Sequence, residues 1–171
     1  MVDRHTNETV AIGGLRMACL WMCVLALGCA DDIVQPIAFS HHIHTVDQEI
    51  ACIDCHQYNE TQEHSGMPTL EVCGECHDEA QGEAPEEKKI LAAVKDGIEP
   101  QWQRLFRMPD HVFYSHRRHV VLAKLACSEC HGTMGKSARP PARPPVALTM
   151  SFCIDCHERT GADTDCVACH R

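Results

Sequence analysis

Apolar and polar positions follow no sustained two-residue or 3.6-residue period along most of the chain, so neither a layered sheet nor a long-helix bundle is predicted. Three segments depart from this background. Met17 to Gly28 is uncharged and largely apolar, and Arg4 and Arg16 precede it. At 12 residues it is too short to span a bilayer and suits the apolar centre of a signal peptide. Pro85 to Lys95 is predicted as the one clear helix, with Pro85 in its first turn, Glu86 and Glu87 behind it, and Lys95 and Gly97 at the end. Ile90, Leu91 and Val94 give it an apolar stripe. Residues 133–146 carry Pro140, Pro141, Pro144 and Pro145, which forbid helix and favour an extended path. This loop is expected to be a solvated connector, and Lys136, Arg139 and Arg143 make it alternatively a docking strand.

The end of the first segment adds an address. Ala26-Leu27-Gly28-Cys29 resembles a bacterial lipobox, in which the cysteine is lipidated and becomes the mature N-terminus. Ala26 departs from the usual leucine. The expectation is a lipoprotein signal over residues 1–28, lipidation of Cys29, and a chain anchored by lipid on the periplasmic side of a membrane.

Ten of the 13 cysteines lie beyond Cys29, and all ten fall in Cys-x-x-Cys-His. The motifs are Cys52/Cys55/His56, Cys73/Cys76/His77, Cys127/Cys130/His131, Cys153/Cys156/His157 and Cys166/Cys169/His170. This is the attachment motif of haem c. Two thiols at this spacing reach the two vinyl groups of one porphyrin, and the next histidine stands over the same face as proximal iron ligand. Zinc ribbons, thioredoxin-like pairs and disulfide frameworks also use such cysteines, but none explains a histidine after every second one. Five covalently attached haems c are therefore expected. With only eight aromatic residues among 171, the chain needs these plates to fill its core.

The sequence is also duplicated. Phe39-Ser40-His41-His42-Ile43-His44 precedes the first motif and Tyr114-Ser115-His116-Arg117-Arg118-His119 the third, aligned without a gap at an offset of 75 residues. His41, His44, His116 and His119 are the expected distal ligands of four haems, since residues three apart on a helix point roughly the same way. His42 and His5 are read as ordinary surface histidines. Met150 is the first choice as fifth distal ligand, with Met134, Met67, His64 and His111 as alternatives. The organisation expected is a signal (1–28), a first dihaem unit (29–84), a helical linker (85–110), and a second dihaem unit with a fifth C-terminal haem (111–171). The fold class is mostly irregular and α, with short helices around stacked haems.

The histidine pairs ahead of the haem motifs resemble those of class III multihaem cytochromes c and their trihaem relatives. Residues 36–157 more closely resemble the pentahaem cytochrome c subunit of bacterial alternative complex III, a quinol-oxidising respiratory complex. The matching stretches are Pro36 to His41, Met67-Pro68-Thr69, Pro109 to His116, Cys130-His131-Gly132 and Leu148 to Cys153. The resemblance implies stacked haems that pass electrons from a membrane quinol-oxidising or other respiratory partner to a redox acceptor. It also implies that His41 serves the first haem and His116 the third, leaving His44 and His119 for others. That subunit usually has a transmembrane helix, where this chain carries the lipobox-like segment.

The charge of -9 excludes nucleic acid as partner, because phosphate binding needs a basic face. The alternative to an electron carrier is a multihaem reductase, which requires one iron left open to substrate. Intact-mass measurement of the purified protein is expected to show lipid, and the Cys29→Ser protein is expected to lose both that mass and its partition into detergent.

Overall fold

The computed structural model describes residues 32–170. The apolar run at Met17–Gly28, Cys29 and His5 lie outside them. Helices are short because each starts on a local signal and is cut within a few residues. In chain order they are α1 (Cys52–Cys55), α2 (Leu70–Gly74), α3 (Pro85–Asp96), α4 (Ser128–His131), α5 (Met150–Thr160) and α6 (Cys166–Cys169). Two π-helical turns, Ile43–Asp47 and Arg117–Leu122, and one 3-10 turn, Met134–Lys136, complete the regular structure of the described residues. Among them no strand forms beyond an isolated antiparallel bridge between Val112 and His170. No described helix is long and apolar enough to cross a membrane.

Helix α3 follows the sequence expectation closely. Pro85 sits in its first turn, and Gly97 ends it in a left-handed conformation (φ 66°) that glycine adopts without cost. The Gly97 N–H closes on the Ala93 carbonyl. Helix α5 was not anticipated. Thr149 caps it by accepting the Phe152 N–H at 3.2 Å, and Gly161 (φ 69°) stops it.

The duplication extends to backbone detail. The second histidine of each pair lies on a π turn, a wider coil than the ordinary helix the spacing suggested, and the first stands just ahead of it. Each turn closes by equivalent bonds, Ile50 N–H to His44 C=O (2.9 Å) and Leu125 N–H to His119 C=O (3.0 Å). Each is followed by a non-glycine residue in the left-handed region, Glu49 (φ 55°) and Lys124 (φ 54°). Such a conformation costs a β-carbon on the order of 1 kcal/mol. Its recurrence at the same register shows one unit used twice.

The Pro-rich loop departs from the expected solvated connector. Its prolines begin only at Pro140, so Met134–Lys136 is free to form the 3-10 turn. That turn docks on the first histidine turn. The His42 N–H donates to the Ser137 carbonyl at 3.0 Å, and the Thr45 hydroxyl to the Gly135 carbonyl. Further on, Ala142 accepts the Ile33 N–H (3.0 Å) and Arg143 pairs with Asp32 at 2.8 Å.

Buried apolar side chains are few. Ile37, Leu70 and Ile90 form one cluster, joined by Cys73, Ala93, Val94 and Trp102, where α2 meets α3. No large side chain among the described residues is fully buried. Polar ties supplement it, including the Leu70 N–H to Glu99 (3.1 Å) and the Ala38 N–H to Glu86 (2.7 Å). Three buried residues cannot offset the conformational entropy of a chain this long, at roughly 1–2 kcal/mol per residue. The covalently held plates expected from the motifs must supply the rest. Chain produced without haem-attachment machinery is therefore expected to be unfolded or degraded, as small metal domains are without metal. A folded apoprotein by circular dichroism would contradict this.

Candidate functional site

Each Cys-x-x-Cys-His motif is a turn of helix. The N–H of the motif histidine donates to the carbonyl of the first cysteine at 2.9 Å for His56, His77 and His131, and at 2.8 Å for His170. His157 lies inside α5, whose bonds do the same work. This closes both thiols and the imidazole into one short unit. Asp54 reinforces the first motif by accepting the Ala51 N–H (3.0 Å).

The ten cysteines form no disulfides with one another. Burial first, and neighbouring thiols and carboxylates second, push the Cys55 and Cys130 thiols up, and burial with neighbouring thiols does the same to Cys153. Burial likewise raises Cys73 and Cys127. No group of three or more histidine, cysteine or acidic side chains among the described residues is placed to hold a metal ion.

The imidazoles are held by their Nδ1 atoms. Nδ1 of His44 meets the Ser40 carbonyl at 2.8 Å and Nδ1 of His119 the Ser115 carbonyl at 2.9 Å, the same bond in each copy. His56 meets Gly66 O (2.7 Å), His116 meets Glu63 O (2.9 Å) and His157 meets Asp163 O (2.6 Å). A carbonyl accepts only, so Nδ1 carries the proton and Nε2 keeps its lone pair for a metal. Gly66 can offer its carbonyl because it has no β-carbon. Its φ is 81°, and a Cβ there would stand 2.5 Å from the Tyr58 ring.

The rings also come in pairs. His116 faces His131 with centroids 6.3 Å apart and planes 4° from parallel. His119 and His157 are 6.1 Å apart, His44 and His77 6.3 Å, and His111 and His170 5.6 Å. Two metal–imidazole bonds of about 2.0–2.1 Å, extended to the ring centres, give a separation of roughly 6 Å. His41 is the remaining distal candidate, and His56 is the motif histidine near it. Burial, then His56 and His44, lower the His41 pKa to about 4, which keeps the ring neutral as a ligand must be. Burial first, then His116 and His56, lower His131 in the same sense. An aromatic ring steadies each pair of distal histidines. Phe39 stands edge-on to His41 (4.9 Å, 87°) and stacks on His44 (4.4 Å, 26°), and Tyr114 does the same to His116 (4.9 Å, 86°) and His119 (4.8 Å, 25°).

Met150 is not brought to a motif histidine. As the first residue of α5, set by its Thr149 cap, it is 65% exposed. His111 is instead the residue that stands beside a motif histidine. The Val112–His170 bridge and the bond from the Phe113 N–H to the Cys169 carbonyl (2.7 Å) lay the chain beside the last motif and stack His111 on His170. The sequence offered His111 only as one of four alternatives to Met150, since a contact across some 60 residues leaves no local periodicity. His42, read as a surface residue, pairs its Nε2 with Asp47 at 3.6 Å.

A cavity of about 520 Å³ lies beside the third ring pair. Its lining includes Glu63, whose carbonyl holds His116, and Phe106, which stands edge-on to His131 (4.5 Å, 81°). Arg104 and Arg107 also line it and suit the carboxylates of a haem. The residues present therefore fit the group the motifs predict.

One partner escaped sequence reasoning. Glu87, in the first turn of α3, places Oε1 3.3 Å from Nδ1 of His77, and its side chain is 9% exposed. The contact has ion-pair distance without hydrogen-bond alignment. The same oxygen accepts the Gln81 N–H at 2.6 Å. His77 thus faces a carboxylate where the other anchored rings face carbonyls.

Comparison with known proteins gives two findings. The family profile "Cytochrome c7 and related cytochrome c" matches residues 112–171. The chain is 31% identical over 161 residues to the menaquinone reductase multihaem cytochrome c subunit of Nitratidesulfovibrio vulgaris (strain Hildenborough), covering 80% of this chain and 77% of that one.

A carboxylate beside a ligand imidazole raises its basicity and favours the oxidised metal. Glu87→Gln is expected to raise one midpoint potential by about 50 mV, equivalent to about 1 kcal/mol for one electron, and to leave the others in place. Spectroelectrochemical titration checks this.

Proposed function

The chain belongs to the multihaem cytochromes c, and on that premise we propose that it is a five-haem electron carrier serving a quinone-linked membrane complex. The observation that carries the proposal is the pairing of motif histidines with second histidines at about the span of two ligand bonds. Covalently bound haem c, the cofactor of this family, supplies a one-electron couple.

The chain's own residues would do the following. The cysteine pairs at 52/55, 73/76, 127/130, 153/156 and 166/169 anchor the five plates. His56, His77, His131, His157 and His170 bind from the motif side. His41, His44, His116, His119 and His111 bind from the other, in that order. Carbonyls at Ser40, Gly66, Glu63, Ser115 and Asp163 hold ring orientation, so little rearrangement accompanies a change of charge. Arg104 and Arg107 offset propionate charge at the third site.

Two observations support a quinone-side partner. One is the relative's place in a menaquinone reductase. The other is the resemblance of residues 36–157 to the alternative complex III subunit. A quinone-linked complex is common to both, and alternative complex III is one form of it. Anchoring through lipid at Cys29 would hold the chain on the periplasmic side of the membrane, beside such a complex. The acidic balance favours a basic acceptor with salt-dependent docking.

The reductase alternative needs an iron without a second ligand, and the ring pairs speak against it. The test is the absorption spectrum of the reduced protein with and without carbon monoxide. The expected result is no change in the wild type or in Met150→Ala, and a change amounting to one haem in His111→Ala. A one-haem change in the wild type would favour the reductase.

A further inference from the structure

The order in which five centres touch decides where electrons can enter and leave, and the chain order does not give it. We propose that the five sites form a single unbranched series that runs second, first, third, fourth, fifth, with the Cys73–His77 and Cys166–His170 sites at its two ends. The inference rests on the haem assignment above and concerns only how this chain's residues place those sites.

Each junction has its own geometry. The second and first sites share one short coiled segment, which carries His44 on its π turn for one and His41 just ahead of that turn for the other. Cys55 lies within electrostatic range of Cys76 on the same junction. The third and fourth sites share the duplicate segment through His116 and His119. There Cys130 lies within range of Cys153 and Cys156.

The join between the two copies is made by the first and third sites. Cys127 lies beside Cys52, and His56 lies within electrostatic range of His131. One loop serves both, since the Gly66 carbonyl holds His56 and the Glu63 carbonyl holds His116. The fifth site attaches to the fourth. Cys153 lies within range of Cys169, and the stretch from Phe113, bonded to Cys169, leads at once to Tyr114, stacked on His119. Each of these contacts joins consecutive members of one series.

Two consequences follow for function. The duplicated halves meet through their first sites, so the second site is a terminus although it lies second in sequence. A donor and an acceptor that dock at the two ends are then separated by the full series, and an electron must pass every centre.

The test is nuclear Overhauser contact between haem substituents in the fully reduced, diamagnetic holoprotein, each haem being identified by its contacts to its own motif. The expected result is contact between second and first, first and third, third and fourth, and fourth and fifth. Contact of the second haem with the third, fourth or fifth, or no contact between first and third, would overturn the series. A mass short of five haems, or carbon monoxide binding by the wild type, would instead overturn the carrier reading, so the two failures are distinguishable.

Discussion

The bond from an imidazole Nδ1–H to a backbone carbonyl is the constraint on which the site depends. It fixes which nitrogen carries the proton, and so which nitrogen is left to bind. It also ties each ring to backbone instead of a mobile side chain. Five rings are held this way, from carbonyls in three different settings: the residues ahead of the π turns, the loop at Glu63–Gly66, and the residues after α5. Much of the irregular backbone exists to present these oxygens. The left-handed Gly66, without room for a side chain against Tyr58, is the plainest case.

The same logic accounts for the small core. A chain that closes around rigid plates needs anchoring points more than it needs apolar volume. Ile37, Leu70 and Ile90 pack where α2 and α3 meet. Elsewhere order comes from short helices locked by motif bonds and from aromatic rings seated on histidines. Phe39 and Tyr114 hold the two π turns in the same geometry, although one ring carries a hydroxyl and the other does not. Burial, and then nearby thiols, raise the Tyr114 pKa to about 12, so that hydroxyl stays neutral beside them.

What could be read from the sequence was what local chemistry dictates. The five motifs, the duplicated histidine pairs and helix α3 each declare themselves within a few residues, by fixed spacing or by Pro and Gly at the ends. Helix α5 carried its signals too, Thr149 and Gly161, but the haem motif inside it masked any apolar stripe. Glu87 and the Glu63 carbonyl could not be found in this way, and His111 could be named only as one alternative among four. Each meets its histidine through tertiary contact, across a separation that depends on where other elements lie. Met150 was attractive for nearness in sequence to Cys153, and a helix N-cap turns that residue outward. The π form of the histidine turns was likewise hidden, since a spacing of three fits either coil.

In every proposed pair the distal histidine precedes its motif along the chain: 41 before 56, 44 before 77, 116 before 131, 119 before 157, and 111 before 170. A polypeptide emerging from its N-terminus therefore exposes the sixth ligand before the motif it will serve. Maturation can then run in step with emergence, each newly attached group finding its cap already present. The fifth pair is the exception in timing, because His111 waits through the longest stretch of chain before His170 appears. A product cut between α5 and α6 would thus keep the motif histidines of four centres and leave His111 without the one it faces.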